Sequence, residues 1–304
     1  GETGRSSNET EHNVTLTKGF YLGKYEVTQA QYEVVMTGDT NGLTATPSNW
    51  SNNPNRPVEQ VSWVDIQVFL TRLNASEQAA GRLPSGWSYV LPTEAQWEYV
   101  CRAGTTTAYS WGDTISASDA NWNHGNDANQ TEDVGQYSAN PWGFFDMHGN
   151  VWEWTADAWG IYLSGAQIDP LMMGESGTSR VIRGGAWNHV GLNLRSAYRT
   201  QPGGNSSSSK DSTIGFRLSF QYTNTSPTNL NSTIPLTIAE NQPIGTIVGE
   251  FNATDPDANA SLTYYLVSGA GDGNNSLFTL ETNGTLKTAV TFDYESNAST
   301  YSIR

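Results

Sequence analysis

All eleven tryptophans of this 304-residue chain lie before residue 188, and this uneven distribution limits the folds open to the chain. Residues 1–220 are rich in tryptophan and glycine, whereas the residues after about 228 hold no tryptophan. Between them, residues 221–233 read QYTNTSPTNLNST, a polar stretch containing proline that is typical of a linker. The sequence predicts a domain over 1–220, a linker over 221–233 and a second domain over 234–304.

The composition favours folded, loop-rich domains with an acidic surface. Hydrophobic residues make up 36% of the chain, enough for a core, while 30 glycines and 12 prolines argue against a helical bundle. The net charge of −15 repels phosphate backbones, so no nucleic acid partner is expected. The same excess of carboxylates suits hard cations such as Ca²⁺.

The chain holds one cysteine, Cys101, so it forms no disulfide within itself. We find no apolar run long enough to span a membrane and no signal peptide. The chain begins at Gly1 and ends abruptly in STYSIR, and we expect both ends to be cut from a longer exported protein.

Three segments of the first region predict helices with capping boxes. Thr28, Ser62 and Thr93 are the expected N-caps, each with a partner three residues later. The partners are Gln31, Asp65 and Gln96, Gly104 is expected to end the third helix, and Val64, Phe69 and Leu73 are expected on the apolar face of the second. From Thr105 to Phe220 only short strands and long loops are expected, which makes this region α+β.

The second region is predicted to be an antiparallel β-sandwich. It consists of short β-rich runs such as LTYYLVSG and FTLETNGTLKTAV, broken by turn sequences. Asn283-Gly284 is a strong signal for a hairpin between two of these runs.

Six segments in order resemble the formylglycine-generating, sulfatase-modifying factor family over nearly all of residues 1–220. The segments are GFYLGKYEVTQAQYEVVM, PVEQVSWVDIQVFL, LPTEAQWEYVCRAG, NPWGFFDMHGNVWEW, RVIRGGAWN…LRSAYR and GFRLSF. The resemblance implies a C-type-lectin-like fold with much irregular structure and bound calcium. The family's usual opening strand has no counterpart here, which agrees with a cut N-terminus.

The family's oxidases use a copper-binding cysteine pair within the segment corresponding to RGGAWNHVGLNLRSAYR, and this chain lacks that pair. The two positions hold His189 and Leu194. A soft copper ion needs thiolates, so no copper site and no catalytic residue is expected here. Cys101 is expected to be a small buried residue rather than a nucleophile. A divergent enzyme of the same family stays the alternative.

The resemblance places a structural calcium site in the motif DMHGNVWEW. It implies side-chain ligands from Asp146 and Glu153 and carbonyl ligands from Gly149 and Val151, oxygen donors of the kind calcium prefers. A second calcium site would use Asn121 and the carbonyl of Trp122, with Asp127 or Asn129 as a further candidate. A solvated polar loop is the competing interpretation of this second site.

The ligand surface is expected around Trp187, Asn188, His189 and Asn193, because related lectin-like proteins carry their ligand-contacting residues in this segment. Aromatic faces stack on sugars and peptides, and Trp142 is a further candidate for such contact. We expect Trp152 and Trp154 to pack in the core instead. The arginines of this region are expected to be structural and to pair with acids such as Glu94 or Glu98; they are Arg183, Arg195 and Arg199.

Three acidic motifs of the second region resemble those of a cadherin-like repeat. They are AEN, DPD and DYE, which supply Glu240, Asp255, Asp257, Asp293 and Glu295. In cadherins such acids hold Ca²⁺ between successive repeats, so neighbouring repeats of a longer chain are the implied partners. The closing strand and its acidic motif are missing, and we expect this domain to be truncated at its C-terminus.

These observations predict a calcium-stabilised binding or adhesion protein at the bacterial cell surface. Its ligand would be an unidentified protein or carbohydrate. The alternatives are an enzyme of the formylglycine-generating class and a spacer domain in a surface array. The absent cysteine pair separates the first hypothesis from the second.

Overall fold

The computed structural model describes residues 2, 4–38, 42–51, 53–125, 129–175, 177–203, 206–223, 227–255, 262–296 and 298–304. Its contacts divide the chain into two compact units, Gly1–Tyr222 and Thr223–Arg304. The first unit combines three helices with short strands, and the described part of the second contains β-strands and no α-helix. No helix of the described residues is long and apolar enough to cross a membrane.

The three helices begin where the sequence predicts. They are α1 (Gln29–Met36), α2 (Trp63–Ala79) and α3 (Glu94–Arg102). Each starts with a complete capping box, in which the N-cap side chain accepts the N–H of the third helical residue and that residue's side chain accepts the N-cap N–H. Local interactions therefore define all three helix starts.

One detail of the helices differs from the prediction. Val64 is 44% exposed, because the buried face of α2 is formed by Ile66, Phe69 and Leu70. The predicted stop of α3 at Gly104 is confirmed: the C-cap is Ala103, with φ of 47°, and Gly104 follows it with φ of 88°. The Tyr99 carbonyl accepts the Ala103 N–H and closes the helix.

The strands of the first unit form three small sheets. A three-stranded sheet has the order β2-β9-β3, a four-stranded sheet has the order β7-β6-β4-β8, and β1 pairs with β5 in parallel. The strands are β1 (Val14–Thr15), β2 (Phe20–Leu22), β3 (Trp87–Val90), β4 (Trp152–Ala158), β5 (Gln167–Ile168), β6 (Arg180–Arg183), β7 (Arg199–Thr200), β8 (Ile214–Gly215) and β9 (Ser219–Tyr222). Long connections join them, as expected.

The main core of the first unit lies between α1, α2 and the four-stranded sheet. Tyr32 of α1 stacks on Phe69 of α2 with ring centroids 5.3 Å apart, and Phe216 meets Phe69 edge to face. Trp152 and Trp154 of β4 are buried in this core, as predicted. Burial of such large rings is the main source of stability in a fold with little regular structure.

The second unit contains a four-stranded sheet with the order β10-β11-β13-β12. Its strands are β10 (Thr228–Ser232), β11 (Ile247–Thr254), β12 (Phe278–Leu280) and β13 (Thr285–Thr288). The predicted hairpin is present: β12 and β13 are antiparallel, and Gly284 has φ of 98°, which a glycine adopts without strain. Part of the predicted linker 221–233 is regular structure instead. Strand β9 extends to Tyr222, and β10, which pairs with β11, lies inside the linker range.

Candidate functional site

The loop before β4 has the backbone shape that its sequence predicts. Asp146 and Gly149 adopt positive φ angles of 55° and 93°. A Cβ on Gly149 would lie 2.4 Å from the Asn121 carbonyl oxygen, so only glycine fits there. The tight turn brings Asp146 beside Glu153, the second acid of the motif.

A third buried carboxylate, Glu26, joins these two acids. It lies between β2 and α1, and its oxygens accept the Asn150 side-chain amide at 2.8 Å and the Val151 N–H at 3.2 Å. Sequence reasoning missed Glu26, since nothing local marks it as buried. The one hint in the sequence is that Glu26 stands between two apolar residues, Tyr25 and Val27.

Glu153 is fully buried and already paired with Arg217. Arg217 donates from Nε and Nη2 to the two Glu153 oxygens at 2.5 and 2.6 Å, and Trp97 donates its indole N–H at 2.7 Å. Both oxygens of the Glu153 carboxylate therefore accept hydrogen bonds. Two of the four predicted calcium ligands thus have other partners: Glu153 binds Arg217 and Trp97, and Asp146 accepts the Gly135 N–H at 2.7 Å.

The cluster still carries an excess of negative charge. Three carboxylates, those of Glu26, Asp146 and Glu153, interact with one guanidinium, that of Arg217. Burial, together with the charges of Asp146 and Glu153, raises the pKa of Glu26 well above its usual range. Burial raises the pKa of Asp146 to about 6, although the Gly135 N–H donates to it. A cation at the Asp146–Glu153 loop would offset this excess, and the calcium site there stays a prediction.

Groups at the second predicted calcium site take part in hydrogen bonds within the chain, and this site stays a prediction. Asn121 donates its side-chain amide to the Gln130 carbonyl and to the Asn150 side chain, at 3.0 and 3.2 Å. The Trp122 carbonyl accepts the His124 N–H. Asn129 has φ of 49°, whereas Asp127 lies outside the described residues.

The predicted ligand surface contains an aromatic group that local sequence does not reveal. Trp187 meets Trp50 edge to face with ring centroids 6.0 Å apart, and His189 meets Trp152 in the same manner at 5.2 Å. Trp50 comes from the loop between α1 and α2, far from the segment that predicted the surface. Asn188 is exposed, and Asn193 lies half-buried in the 3-10 turn Gly191–Leu194.

Three buried polar atoms near this surface have no hydrogen-bond partner within the described part of the chain. They are Trp50 Nε1, Glu59 Oε2 and His189 Nδ1. The other Glu59 oxygen accepts the Trp50 N–H at 3.0 Å, so these two residues are adjacent. Glu59 and His189 both interact electrostatically with Asp211, and Trp187 donates to the Ser212 carbonyl. Burial raises the pKa of Glu59 and lowers that of His189.

We define the ligand surface as Trp50, Glu59, Trp187, His189 and Asp211. A buried donor or acceptor without a partner costs about 1–3 kcal/mol, so such atoms are rare unless something else satisfies them. Here a donor, an acceptor and an imidazole nitrogen occur beside two indole rings. This arrangement can bind a ligand that offers both polar groups and a flat or apolar face.

Leu194 and Cys101, the two residues most relevant to thiol chemistry, are both buried. Leu194 packs with Ala108 and Tyr109 in an apolar cluster and offers no metal ligand. Cys101 is a free buried thiol, and burial raises its pKa to about 12. Its sulfur lies 3.6 Å from His148 Nε2, but burial lowers the His148 pKa to about 4. Cys101 thus stays a protonated thiol, as the sequence predicts for a structural residue.

The arginines of the same segment are structural. Arg183 and Arg199 both form ion pairs with Glu94, and Arg183 also pairs with Glu98. Arg195 instead binds the N-terminal residues Glu2 and Glu9. All three arginines thus form ion pairs with acids, as predicted, although Arg195 pairs with neither Glu94 nor Glu98.

In the second unit the structure brings three of the five predicted acids together. Carboxylate oxygens of Glu240, Asp293 and Glu295 all lie within 4.8 Å of one another, the one cluster of this kind among the described residues. Hydrogen bonds, first from Ser296, lower the pKa of Asp293. Asp255 lies after β11 and outside this cluster, while Asp257 is outside the described residues.

The first unit is an α+β domain of short sheets and long loops held by buried ion pairs, and the second is an all-β unit with an acidic cluster. A family model described as "Sulfatase-modifying factor enzyme 1-like domain" matches residues 1–221, and a cadherin-domain model matches residues 234–304. The chain belongs to the sulfatase-modifying factor family and carries a cadherin domain after that region. The predicted fold class and the predicted family are both confirmed.

Individual relatives share the first region. A serine/threonine-protein kinase, pkn1, of Chlamydia caviae is 40% identical over 131 residues, 42% of this chain and 20% of the kinase. The mouse formylglycine-generating enzyme is 32% identical over 179 residues, 54% of this chain and 44% of the enzyme. The chain thus spans less than half the length of these curated relatives. The structure of PvdO from Pseudomonas aeruginosa matches with a TM-score of 0.62 and 28% identity, over 72% of this chain and 87% of PvdO.

Proposed function

We propose that this chain is a calcium-stabilised, extracellular binding or adhesion protein whose sulfatase-modifying-factor domain no longer oxidises cysteine. The single observation that carries the proposal is the ligand surface, where Trp50 Nε1, Glu59 Oε2 and His189 Nδ1 are buried without partners beside two indole rings. Such groups would gain hydrogen bonds from a ligand or an ordered water that reached them.

The residues at the two cysteine positions support binding over oxidation. His189 is one member of the ligand surface, and Leu194 belongs to an apolar cluster. The chain's single cysteine, Cys101, is buried and protonated, so a thiolate pair cannot be assembled from this sequence. The scaffold keeps the site of the family's chemistry but offers aromatic and hydrogen-bonding groups there.

Calcium would act at two places in this proposal. In the first unit it would bind the Asp146–Glu153 loop and offset the excess carboxylate charge there. In the second unit it would bind Glu240, Asp293 and Glu295, as cadherin domains generally bind calcium. Extracellular calcium is abundant enough for such modules, and neighbouring cadherin-like repeats of the full-length protein are the proposed partners of the second site.

The ligand of the first unit would be a carbohydrate or a protein segment, and a binding screen tests this. Fluorescently labelled protein is applied, in calcium, to a glycan array and to an array of linear peptides. Each hit is then titrated with the wild type, with Trp187→Ala and with the matched control Trp142→Ala, which removes an exposed tryptophan outside the ligand surface.

We expect Trp187→Ala to weaken binding about ten-fold or more, the effect of losing a central aromatic contact, and Trp142→Ala to leave binding unchanged. The absence of any hit on both arrays, or equal losses in the two variants, would refute a ligand surface at Trp187.

A divergent enzyme of the formylglycine-generating class is the second candidate, favoured by the 32% identity to the mouse enzyme. A cysteine-containing sulfatase-motif peptide, incubated with the protein, copper and oxygen, distinguishes the two by mass spectrometry. An unmodified cysteine supports the binding function. Conversion of the cysteine to an aldehyde would establish the enzyme, and His189 and Cys101 would be the first residues to substitute.

A further inference from the structure

The first unit contains a large open cleft whose lining includes no residue of the ligand surface. Its walls are formed by Glu2, by parts of residues 5–16, 105–113, 162–173 and 192–199, and by helix α3. Its volume is about 1380 Å³. Pockets for small molecules typically measure about 300–1,000 Å³, so this cleft has room for a larger ligand. We call it the α3 cleft.

The α3 cleft is lined by more carboxylates than cations. Eight acidic side chains and four arginines face it. Three of these arginines are already bound by carboxylates of the cleft and leave little positive charge for a ligand. The paired arginines are Arg102, Arg195 and Arg199, and their partners are Glu2, Glu9, Glu94 and Glu98.

The lining acids outside these ion pairs are Glu11, Asp113, Asp157 and Asp169, and Arg5 is the one further arginine of the lining. Asp157 is buried and accepts two backbone N–H groups, so the exposed Glu11, Asp113 and Asp169 supply the accessible excess of negative charge. A cleft lined by one sign of charge concentrates the field and attracts ligands of the opposite sign. The α3 cleft therefore complements a basic ligand, and it disfavours a phosphate or a carboxylate.

One wall of the α3 cleft also exposes apolar side chains. Leu163, Ile168 and Met173 are exposed by 66%, 71% and 79%, and Leu171 and Leu192 lie exposed in the same lining. Methionine and leucine side chains of this kind adapt to varied apolar partners. Contiguous exposed apolar residues in a polar setting mark an interaction site.

The two-stranded sheet of β1 and β5 contributes Val14, Gln167 and Ile168 to the lining. Both of its strands are edge strands, since the sheet has only these two members among the described residues. Edge strands can pair with an extended peptide through main-chain hydrogen bonds, while alternate side chains of the peptide enter the neighbouring pocket.

We propose that the α3 cleft binds an extended peptide segment in which basic side chains alternate with apolar ones. The apolar side chains would pack on residues 162–173, and the basic ones would face the excess carboxylates. The volume, the charge and the apolar wall each match this ligand. The cleft is a second binding site, and it does not depend on the ligand surface at Trp187.

Isothermal titration calorimetry with defined peptides tests the proposal on the whole chain in calcium. The probe is an acetylated decapeptide of alternating lysine and valine, and the comparison peptides alternate glutamate with valine and lysine with serine. We expect one lysine–valine peptide per chain, weaker binding of the lysine–serine peptide, and no binding of the glutamate–valine peptide. Binding should weaken with salt because the charges are solvent-accessible.

Two matched pairs of variants locate the site. Glu11→Lys reverses a charge in the cleft, and Glu33→Lys makes the same change on the exposed face of α1. Met173→Ser removes an apolar side chain that is 79% exposed, and Val34→Ser removes one that is 80% exposed outside the cleft. We expect Glu11→Lys and Met173→Ser to weaken binding about five- to ten-fold and the two controls to bind as the wild type does.

Equal weakening by Glu11→Lys and Glu33→Lys would mean that the peptide senses only the net charge of the chain, and it would overturn the proposal. Binding of the glutamate–valine peptide, or no binding of the lysine–valine peptide, would also overturn it. Because all four substitutions are at exposed positions, folding should be kept, and an unchanged melting temperature verifies this.

Discussion

Arg217 donates hydrogen bonds to both carboxylate oxygens of Glu153, with Nε–Oε2 and Nη2–Oε1 distances of 2.5 and 2.6 Å. Both side chains are buried, and Arg217 also donates to the carbonyls of Gly23 and Phe145 at 3.0 Å. The ion pair therefore joins β4 to two loops. Its carboxylate belongs to the motif DMHGNVWEW, for which the sequence predicts a calcium site.

Removing one charge of this pair should destabilise the first unit severely. Glu153→Gln removes the carboxylate that binds two nitrogens of the buried Arg217 guanidinium, and breaking such a buried pair typically costs about 3–5 kcal/mol. Urea unfolding followed by tryptophan fluorescence measures this loss, because every tryptophan lies before residue 188 and the signal reports on the first unit alone.

The control for Glu153→Gln is Glu77→Gln, which breaks the solvent-exposed pair of Glu77 with Arg82. Exposed ion pairs contribute little, so we expect an unchanged unfolding midpoint. If the two variants lost the same stability, the burial of the Glu153–Arg217 pair would have no energetic consequence.

Chelation of calcium should lower the melting temperature of the first unit. A ligand at 100 times its dissociation constant stabilises the native state by about 2.7 kcal/mol, roughly 5–10 °C for a unit of this size. Tryptophan fluorescence in calcium, in chelator and after calcium is restored provides the measurement. Asp146→Asn should reduce the shift, because it removes charge from the loop. An unchanged melting temperature in chelator would contradict calcium binding at this loop.

The acidic cluster of the second unit, Glu240, Asp293 and Glu295, should itself bind calcium. Glu240→Gln removes one carboxylate of the cluster, and Glu281→Gln removes one outside it. Calorimetry at millimolar calcium should show a binding event with a dissociation constant of roughly 0.1–1 mM, the range of extracellular modules. We expect Glu240→Gln to abolish it and Glu281→Gln to retain it; the reverse pattern would place calcium elsewhere.

Asp157 should make stability depend on pH in the acidic range. Its oxygens accept the N–H groups of Glu94 and Met172 at 2.7 and 2.9 Å. Burial first, and then the charge of Glu94, raise its pKa to about 6. The native state thus keeps a proton that the unfolded chain loses near pH ~4, and this contribution to stability disappears as the pH rises to about 6.

Between pH 4 and 7 the wild type should therefore lose about 2 kcal/mol of unfolding free energy relative to Asp157→Asn. Urea titrations at four pH values in this range provide the comparison. Asp169→Asn is the control with the opposite sign, because hydrogen bonds from Thr17 lower the Asp169 pKa. Parallel pH profiles for wild type and Asp157→Asn would contradict the prediction.

The features that sequence predicted well are those set by neighbouring residues. Thr28, Ser62 and Thr93 each form their capping box within four residues, and Asn283-Gly284 turns the hairpin locally. The predicted burial of Trp154 is also confirmed: β4 is buried on both faces, and Trp154 packs in the main core.

The features that sequence missed depend on contacts between distant segments. Glu26 becomes part of the Asp146 cluster, and Trp50 and Glu59 become part of the ligand surface, only when the fold brings α1 and its flanking loops to β4 and Trp187. Arg195 pairs with Glu9 rather than Glu94 because the N-terminal segment passes beside the turn that ends at Leu194. A single sequence holds no pattern that pairs such residues.

Strand β9 lies between β2 and β3, so Phe20 pairs with Gln221 and Tyr89 with Phe220. This order has a consequence for synthesis on the ribosome. The helices depend on contacts between neighbouring residues, whereas the sheet that joins the two ends of the first unit forms only after its last strand has been made. Until Tyr222 leaves the exit tunnel, β2 and β3 have unpaired edges, and the nascent chain is exposed to misfolding throughout that interval.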